Sequence, residues 1–269
     1  EGSFYIKAGL HPDNYPEKEA DVEECKARLM ELAHRLGKKE KSYLFATGPS
    51  IDKYPNYNFD DGLRIICNSV IFDDELVKYV NPEMLVFGDP IFHFGCNLYA
   101  KEYREKLLDV VGKYDLPIMI PFNYYRLFTH YFPELKERCV GIPLESGKGT
   151  NLNLNHQFYI ETTGNILTNM MIPLAATFSN HIHILGCDGR KLKEDDYYWK
   201  HNKKTQITSK MANIKTAHPS FFDIDFNEYN TTHRDVLDKW ITLAESRGKK
   251  FDVLTPSYLP ALRKRYTYL

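Results

Sequence analysis

Across 269 residues the chain has only five cysteines, Cys25, Cys67, Cys96, Cys139 and Cys187, and no two of them form a CxxC pair. Such scattered thiols exclude a disulfide framework and a cysteine-based structural zinc site, and they point to a reducing compartment. Long apolar runs are also missing. No stretch approaches the roughly 20 residues a membrane-spanning helix needs, so the chain is expected to be cytoplasmic and at most peripheral. Neither charge sign dominates: 35 Lys and Arg against 36 Asp and Glu leave a net charge of −1. That balance argues against nucleic acid as a partner, because no overall positive field is available. The start Glu1-Gly2-Ser3 carries neither an initiator methionine nor a signal-peptide pattern, as in a piece of a longer protein. What the chain does have is aromatic side chains, 14% of the total with 19 Tyr among them. Tyrosine joins a flat apolar face to a polar tip, which suits sugar and nucleotide sites as well as cores.

Apolar periodicity sets out an α/β order. Residues 16–37 read as an opening helix, with Val22, Cys25, Leu29, Leu32 and Ala33 at helical spacing and Gly37 as its stop; residues 1–41 are expected to form an N-terminal appendage. Strands are predicted at Tyr43 to Ala46, Leu63 to Cys67, Met84 to Phe87, Pro117 to Ile120, around Val140 to Ile142, at His181 to Leu185 and at Phe251 to Leu254. Between them lie predicted helices at Tyr99 to Val111, Gly164 to Phe178 and Thr232 to Ser246. Strands alternating with helices in this way call for a mainly parallel sheet covered on both faces. The main domain would comprise 42–188 and 232–260, with a basic and aromatic tail at 261–269. Residues 189–231 show no periodicity but cluster Arg190, Lys191, Lys193, Tyr197, Tyr198, Trp199, His201, Lys203 and Lys204, which reads as an inserted lid.

Ligands of open parallel sheets bind beyond the carboxyl ends of the strands. Thr47, Asn68, Asp89 and Asp188 each follow a predicted strand and should therefore meet at one cleft. In Thr47-Gly48-Pro49-Ser50, glycine allows close backbone approach, and Ser50 or free amides could donate to a phosphate or ribose. The loop is neither GxxxxGK[ST] nor GxGxxG. No GxSxG elbow is present. His181 and His183 alternate on one strand and face one side, but the sequence offers no third ligand at a sensible spacing. Asp195-Asp196 and Asp223-Ile224-Asp225 could hold Mg²⁺, but charged residues in such a segment are more often simply solvated, and no metal is assigned. Cys187 reads as a packed cysteine. His233, expected in the first turn of the last helix, is a candidate general base whose protonation the helix N-terminus disfavours; His218 is its rival.

In order along the chain, Phe45-Ala46-Thr47-Gly48-Pro49-Ser50-Ile51, Ile66-Cys67-Asn68, Val86-Phe87-Gly88-Asp89-Pro90, Thr162-Thr163-Gly164, Leu185-Gly186-Cys187-Asp188, His233 and Leu254-Thr255-Pro256-Ser257 resemble the bacterial lipo-oligosaccharide sialyltransferases, over about residues 42 to 260. The resemblance implies a Rossmann-like sheet of the GT-A-like kind with a lid, acting in lipopolysaccharide or capsule biosynthesis. It implies an inverting, metal-independent glycosyltransferase that moves a sialic-acid-like sugar from a CMP donor to a glycan acceptor. By the same resemblance the Gly48 loop and Asn68 face the nucleotide and donor, Thr162, Thr163 and Gly164 bind cytidine or donor sugar, and Asp188 completes the site. His233 would be the base, and Tyr197 or Tyr198 would donate to the departing phosphate. Four positions depart from the family pattern. Thr47 and Asp89 stand where asparagines are usual, Ile160 where an arginine is expected, and Arg190 where a lid tyrosine is expected. Arg190 could neutralise the leaving phosphate, and the Asp89 carboxylate leaves the donor open to a related ulosonic acid such as Kdo, legionaminate or pseudaminate.

The Gly-Pro-Ser start is similar also to motility-associated flagellin glycosyltransferases and to pterin pyrophosphokinases. The latter alternative requires ATP and Mg²⁺, with Asp89 and Asp188 as ligands. A non-catalytic nucleotide-fold module that binds a partner protein is the third reading. The tail Arg263-Lys264-Arg265-Tyr266-Thr267-Tyr268 could touch an anionic membrane face, and the oligomeric state stays open.

Overall fold

The computed structural model describes residues 15–191, 202, 204, 205 and 207–267. Its centre is a seven-stranded parallel sheet in the order β5-β4-β3-β2-β1-β8-β9, with strands β1 (Lys41–Phe45), β2 (Gly62–Cys67), β3 (Met84–Val86), β4 (Ile118–Pro121), β5 (Cys139–Ile142), β8 (His181–Leu185) and β9 (Lys250–Val253). β6 (Leu144–Glu145) and β7 (Ile160–Glu161) form a separate parallel pair. Consecutive residues of β1, β3, β4 and β5 are buried, so both faces of the sheet are covered, and these strands read as unbroken apolar runs for that reason. Every expected strand of the main sheet is present, and the α/β class matches the sequence reading.

The helices are α1 (Lys18–Leu36), α2 (Asp74–Val80), α3 (Pro90–Phe94), α4 (Leu98–Tyr114), α5 (Tyr125–Tyr131), α6 (Ile172–Phe178), α7 (Met211–Ala217), α8 (Pro219–Phe222), α9 (Phe226–Ser246) and α10 (Pro260–Arg263). Among the described residues no helix is long and apolar enough to cross a membrane. α1 was expected in an appendage, yet it is built into the main core. Its Cys25 and Leu29 are fully buried against β5, and the Gly141 amide donates to Cys25 Sγ. The apolar stripe of α1 is thus the cover of the sheet's edge.

Two expectations are corrected. The 189–231 segment is not structureless where it is described: α7 and α8 lie within it, and Ile207 and Ile214 pack with Ile91 and Tyr99 in a small second core. Helical spacing was obscured there because the apolar face is short and shared with aromatics that Phe92 and Phe221 stack edge-on. The last helix begins six residues before the expected Thr232. Asp225 caps it by accepting from the amides of Asn227 at 2.8 Å and Glu228 at 3.1 Å. Asp225-x-x-Glu228 has the form of a helix-start signature, and His233 therefore sits in the helix body rather than in its first turn.

The chain order makes the site. β1 to β5 progress outward on one side of β1, whereas β8 and β9 return on the other, so the connection reverses direction between β1 and β8. Such a switch point leaves a crevice at the carboxyl ends of the two strands.

Candidate active site

The crevice is a cleft enclosing about 610 Å³, open space included. β1 contributes Ala46, Thr47 and Gly48, β2 contributes Cys67 and Asn68, and the end of β8 contributes Gly186 to Arg190. The remaining wall comes from Asn165, Ile166, Leu167 and Met171, from Asn230 and His233 of α9, and from Leu259. Loops distant in sequence meet here because parallel strands in register end at one level: Phe45 stands beside both Ile66 and Leu185.

Close packing holds the first loop in place. A Cβ on Gly48 would lie 2.2 Å from Asp188 Oδ2 and 2.4 Å from the Gly186 carbonyl, so only glycine fits. Gly186 has φ of 70° and faces the Ala46 carbonyl just as closely, which fixes glycine on both sides of the switch point. The Gly48 amide donates to Gly186 O at 2.8 Å. The Ser50 hydroxyl donates to Asp188 Oδ2 at 2.8 Å and its amide to the same carboxylate. The donors expected to greet a phosphate are thus taken up in a strut between β1 and β8. Burial raises the Asp188 carboxyl above its ordinary value, opposed by the Ser50 hydrogen bonds. Pro49 opens the short 3₁₀ turn Pro49–Asn56 and does not line the cleft.

Asn68 holds φ of 46°, in the left-handed region that asparagine tolerates better than most side chains. That conformation turns the chain at the end of β2, next to the cleft.

Arg190 is the cleft's unusual group. It is 4% exposed, it donates from Nη2 to Asn227 Oδ1 at 3.2 Å, and its Nε has no hydrogen-bond partner among the described residues. No carboxylate pairs with it among the described residues. A buried guanidinium without a counter-charge is costly, so the arrangement favours an anion in the cleft.

His233 lies two helical turns past the α9 cap, on the stripe that also carries Asn227 and Asn230. Its Nδ1 is buried without a hydrogen-bond partner among the described residues. Burial, not the helix terminus, lowers its imidazole to about 4.

Thr162, Thr163 and Gly164 stand behind the wall rather than in it. Thr163 bonds Thr168 Oγ1 at 2.8 Å through its hydroxyl and Asn169 Oδ1 at 3.0 Å through its amide, and the Gly164 carbonyl accepts from the Tyr229 hydroxyl. Just beyond, Leu167–Met171 is a π-helical turn. Pro173 cannot donate to the carbonyl four residues back, and the chain widens ahead of it.

Asp89 belongs to a different cluster. It caps α3 by accepting from the Ile91 and Phe92 amides at 2.9 Å, and its Oδ2 lies 3.6 Å from His218 Nε2. Burial would raise its carboxyl, but the His218 and His93 rings and the Phe92 amide outweigh that and hold it below its ordinary value. Neither Asp89 nor His218 lines the cleft. Asp225 is a cap, and burial drives the Cys187 thiol well up, as expected of a packed cysteine. Tyr197, Tyr198, Lys193, Asp195, Asp196, Trp199, His201 and Lys203 lie outside the described residues. The flanks of that segment do reach the cleft: Arg190 lines it, and the Asn202 amide donates to Thr47 O at 2.7 Å.

Sequence reasoning missed Asn165, Asn227 and Asn230. The last two were legible in principle, since Asn227, Asn230 and His233 recur at three-residue spacing once α9 is started at its Asp225 cap. Asn165 had no signal.

No family model and no curated protein matches the chain. Solved structures with a similar course include the sialyltransferase CstII from Campylobacter jejuni with the substrate analogue CMP-3FNeuAc, 14% identical over 86% of this chain and 89% of that one, TM-score 0.45. Another is the monofunctional alpha-2,3-sialyltransferase Cst-I from Campylobacter jejuni, 16% identical over 81% of this chain and 76% of that one, TM-score 0.45. A third is a sialyltransferase CST-II with a trisaccharide acceptor and CMP, 15% identical over 86% and 89%, TM-score 0.44.

Proposed function

We propose that this chain is an inverting glycosyltransferase that moves a sialic-acid-like sugar from a CMP donor to a hydroxyl of a glycan acceptor. The observation that carries the reading is Arg190, a buried guanidinium with no acidic partner among the described residues, which lines one cleft with His233 and the ends of β1, β2 and β8. The ordered motif resemblance names the donor class.

In the reaction the acceptor oxygen attacks the anomeric carbon while the bond from that carbon to the phosphate oxygen breaks. CMP departs with the electron pair, and the acceptor proton passes to His233. Negative charge grows on the phosphate, and the fixed guanidinium stabilises it. Tyr197 or Tyr198 adds a hydroxyl donor at the same oxygen, and the step proceeds without a metal. An imidazole lowered to about 4 is a weak base in the free protein. A bound donor carries a carboxylate and a phosphate, and their charge raises it toward neutrality, where a general base works best. The acid limb of kcat/KM, which reports free protein, should then lie near pH 4, and that of kcat at higher pH. The exposed Arg263 and Lys264 of the tail offer the protein a contact with an anionic membrane face on the cytoplasmic side.

Calorimetry with CMP, UDP, GDP and ATP tests the donor class. CMP should bind, with and without EDTA, and Arg190→Met should weaken it at least tenfold. The same variant should leave the ligand-free chain as stable as the wild type or more so, because a buried unpaired charge is gone. In a CMP-release assay His233→Ala should lose 10²- to 10⁴-fold in kcat, the usual worth of a general base, with CMP affinity kept. A wild type that binds no cytidine nucleotide overturns the proposal, and EDTA-sensitive binding of ATP alone would transfer it to the pyrophosphokinase reading.

A further inference from the structure

At the opposite end of β8 from the cleft, His181 and His183 project from one face of the strand, and β9 lies in register beside it. Asp252 is paired directly with His183. The missing third ligand of the sequence pattern thus comes from the neighbouring strand, 69 positions beyond His183 in the chain. We propose that His181 Nε2, His183 Nδ1 and Asp252 Oδ2 form a binding site for a single zinc ion that staples the edge strand β9 to β8.

Three observations on these residues carry it. The ligand atoms of all three side chains lie within 4.8 Å of one another. Asp252 Oδ2 is 2.7 Å from His181 Nε2 and 3.9 Å from His183 Nδ1. Tetrahedral zinc with bonds of about 2.0–2.2 Å sets its donors about 3.3 Å apart, and these two separations bracket that value. Most telling is His183 itself. It is 8% exposed, and neither ring nitrogen has a hydrogen-bond partner among the described residues. A buried imidazole with two orphan nitrogens costs free energy unless something fills one of them, and Leu or Phe would serve better as mere packing.

The surroundings are suitable. Tyr43 stacks on the His183 ring at 4.9 Å and holds it in place, and the nearby cation Lys41 is occupied by Asp61 at 2.6 Å. His181 and Asp252 stay partly exposed, which provides an entry path and leaves the fourth position to water. Two imidazoles and one carboxylate suit zinc better than the all-oxygen ions Mg²⁺ and Ca²⁺. The ion takes the place of the hydrogen bond between His181 Nε2 and Asp252 Oδ2.

The full chain, stripped with chelator and dialysed, is titrated with ZnCl₂ by calorimetry near pH 7.5, and its melting temperature is followed in parallel. One ion per chain should bind, with a melting temperature raised by several degrees. His181→Gln and Asp252→Asn should each weaken binding at least tenfold. His183→Leu, which removes the orphan nitrogens and is expected to fold, should abolish both binding and the thermal shift. His156→Gln, on a loop elsewhere, should change neither. Absence of one-to-one binding in the wild type, or zinc affinity retained in His183→Leu, overturns the proposal. Mg²⁺ raising the melting temperature as effectively as zinc would also overturn it. CMP binding is read separately and does not depend on the outcome.

Discussion

At Gly48 the sequence suggested a loop that opens its amides to a ligand, and the structure gives the glycine a different reason. Its backbone passes so close to Asp188 and Gly186 that a methyl group would overlap both. Gly48→Ala should therefore destabilise the chain by about 1–3 kcal/mol, the usual cost of overpacking, and shift Ser50 off Asp188. Chemical denaturation measures the first effect and loss of CMP affinity the second. Arg190 shows the converse case. In the sequence it stood out as one of the basic residues of the 189–231 segment and as a departure from a family pattern, and its meaning comes from burial without a counter-charge among the described residues, a property no sequence position carries. His233 was singled out for proximity to a helix start that the structure moves six residues upstream, so its depressed basicity has a different cause from the one expected. Asp89 followed a strand as Asp188 does, yet it turned inward to cap α3, which removes it from the cleft.

Among the elements, α9 matters most, because one of its faces supplies Asn227, Asn230 and His233 while another buries Leu237, Trp240 and Ile241 in the core. Its first two turns hold the site, and its cap holds those turns. Asp225→Ala should cost about 1 kcal/mol, the typical worth of an N-cap, and fray the turn that carries Asn227 and Tyr229. A urea midpoint lowered by that amount, together with weaker CMP binding, is the expected result; Asp225→Asn should retain most of both. The strands of the seven-stranded sheet were readable, since a parallel sheet buried on both sides demands unbroken apolar runs, whereas the short pair β6 and β7 went unpredicted. The tail was less so. Arg265 is forked onto Glu245 with two contacts of 2.6 Å, and Thr267 bonds Val253 O at 3.0 Å, so part of the tail is docked on the sheet edge. Among the described residues of the tail, the basic side chains that remain exposed for contact with an anionic surface are Arg263 and Lys264.

For the molecule as a whole, buried histidines set the response to acid. Burial lowers His93 and His233 to about 4, so both are neutral when folded at pH values where the unfolded chain would protonate them. A depressed histidine binds fewer protons in the native state between about pH 4 and 6.5, hence stability rises with pH through that window and is lost as the pH falls through it. Asp89, held below its ordinary value, adds a loss in the same direction at lower pH, whereas Asp188, held above its own, opposes it weakly. The urea midpoint should therefore fall steadily from pH 6.5 to 4. His93→Phe should flatten the fall, and an unchanged slope in that variant would contradict the assignment.

Apolar runs, turn residues and their order along the chain already specified an α/β protein with a parallel sheet and loops gathered at one edge, because burial on both faces and right-handed crossovers leave few other solutions. Those patterns are local, and a local pattern can say which residues follow a strand. It cannot say where their hydrogen bonds go. Folding alone brought Asp188 against Ser50, left Arg190 without a carboxylate partner among the described residues, and set Asp252 beside two histidines of another strand. Each of these depends on groups separated by tens of residues and held a few ångströms apart by sheet register.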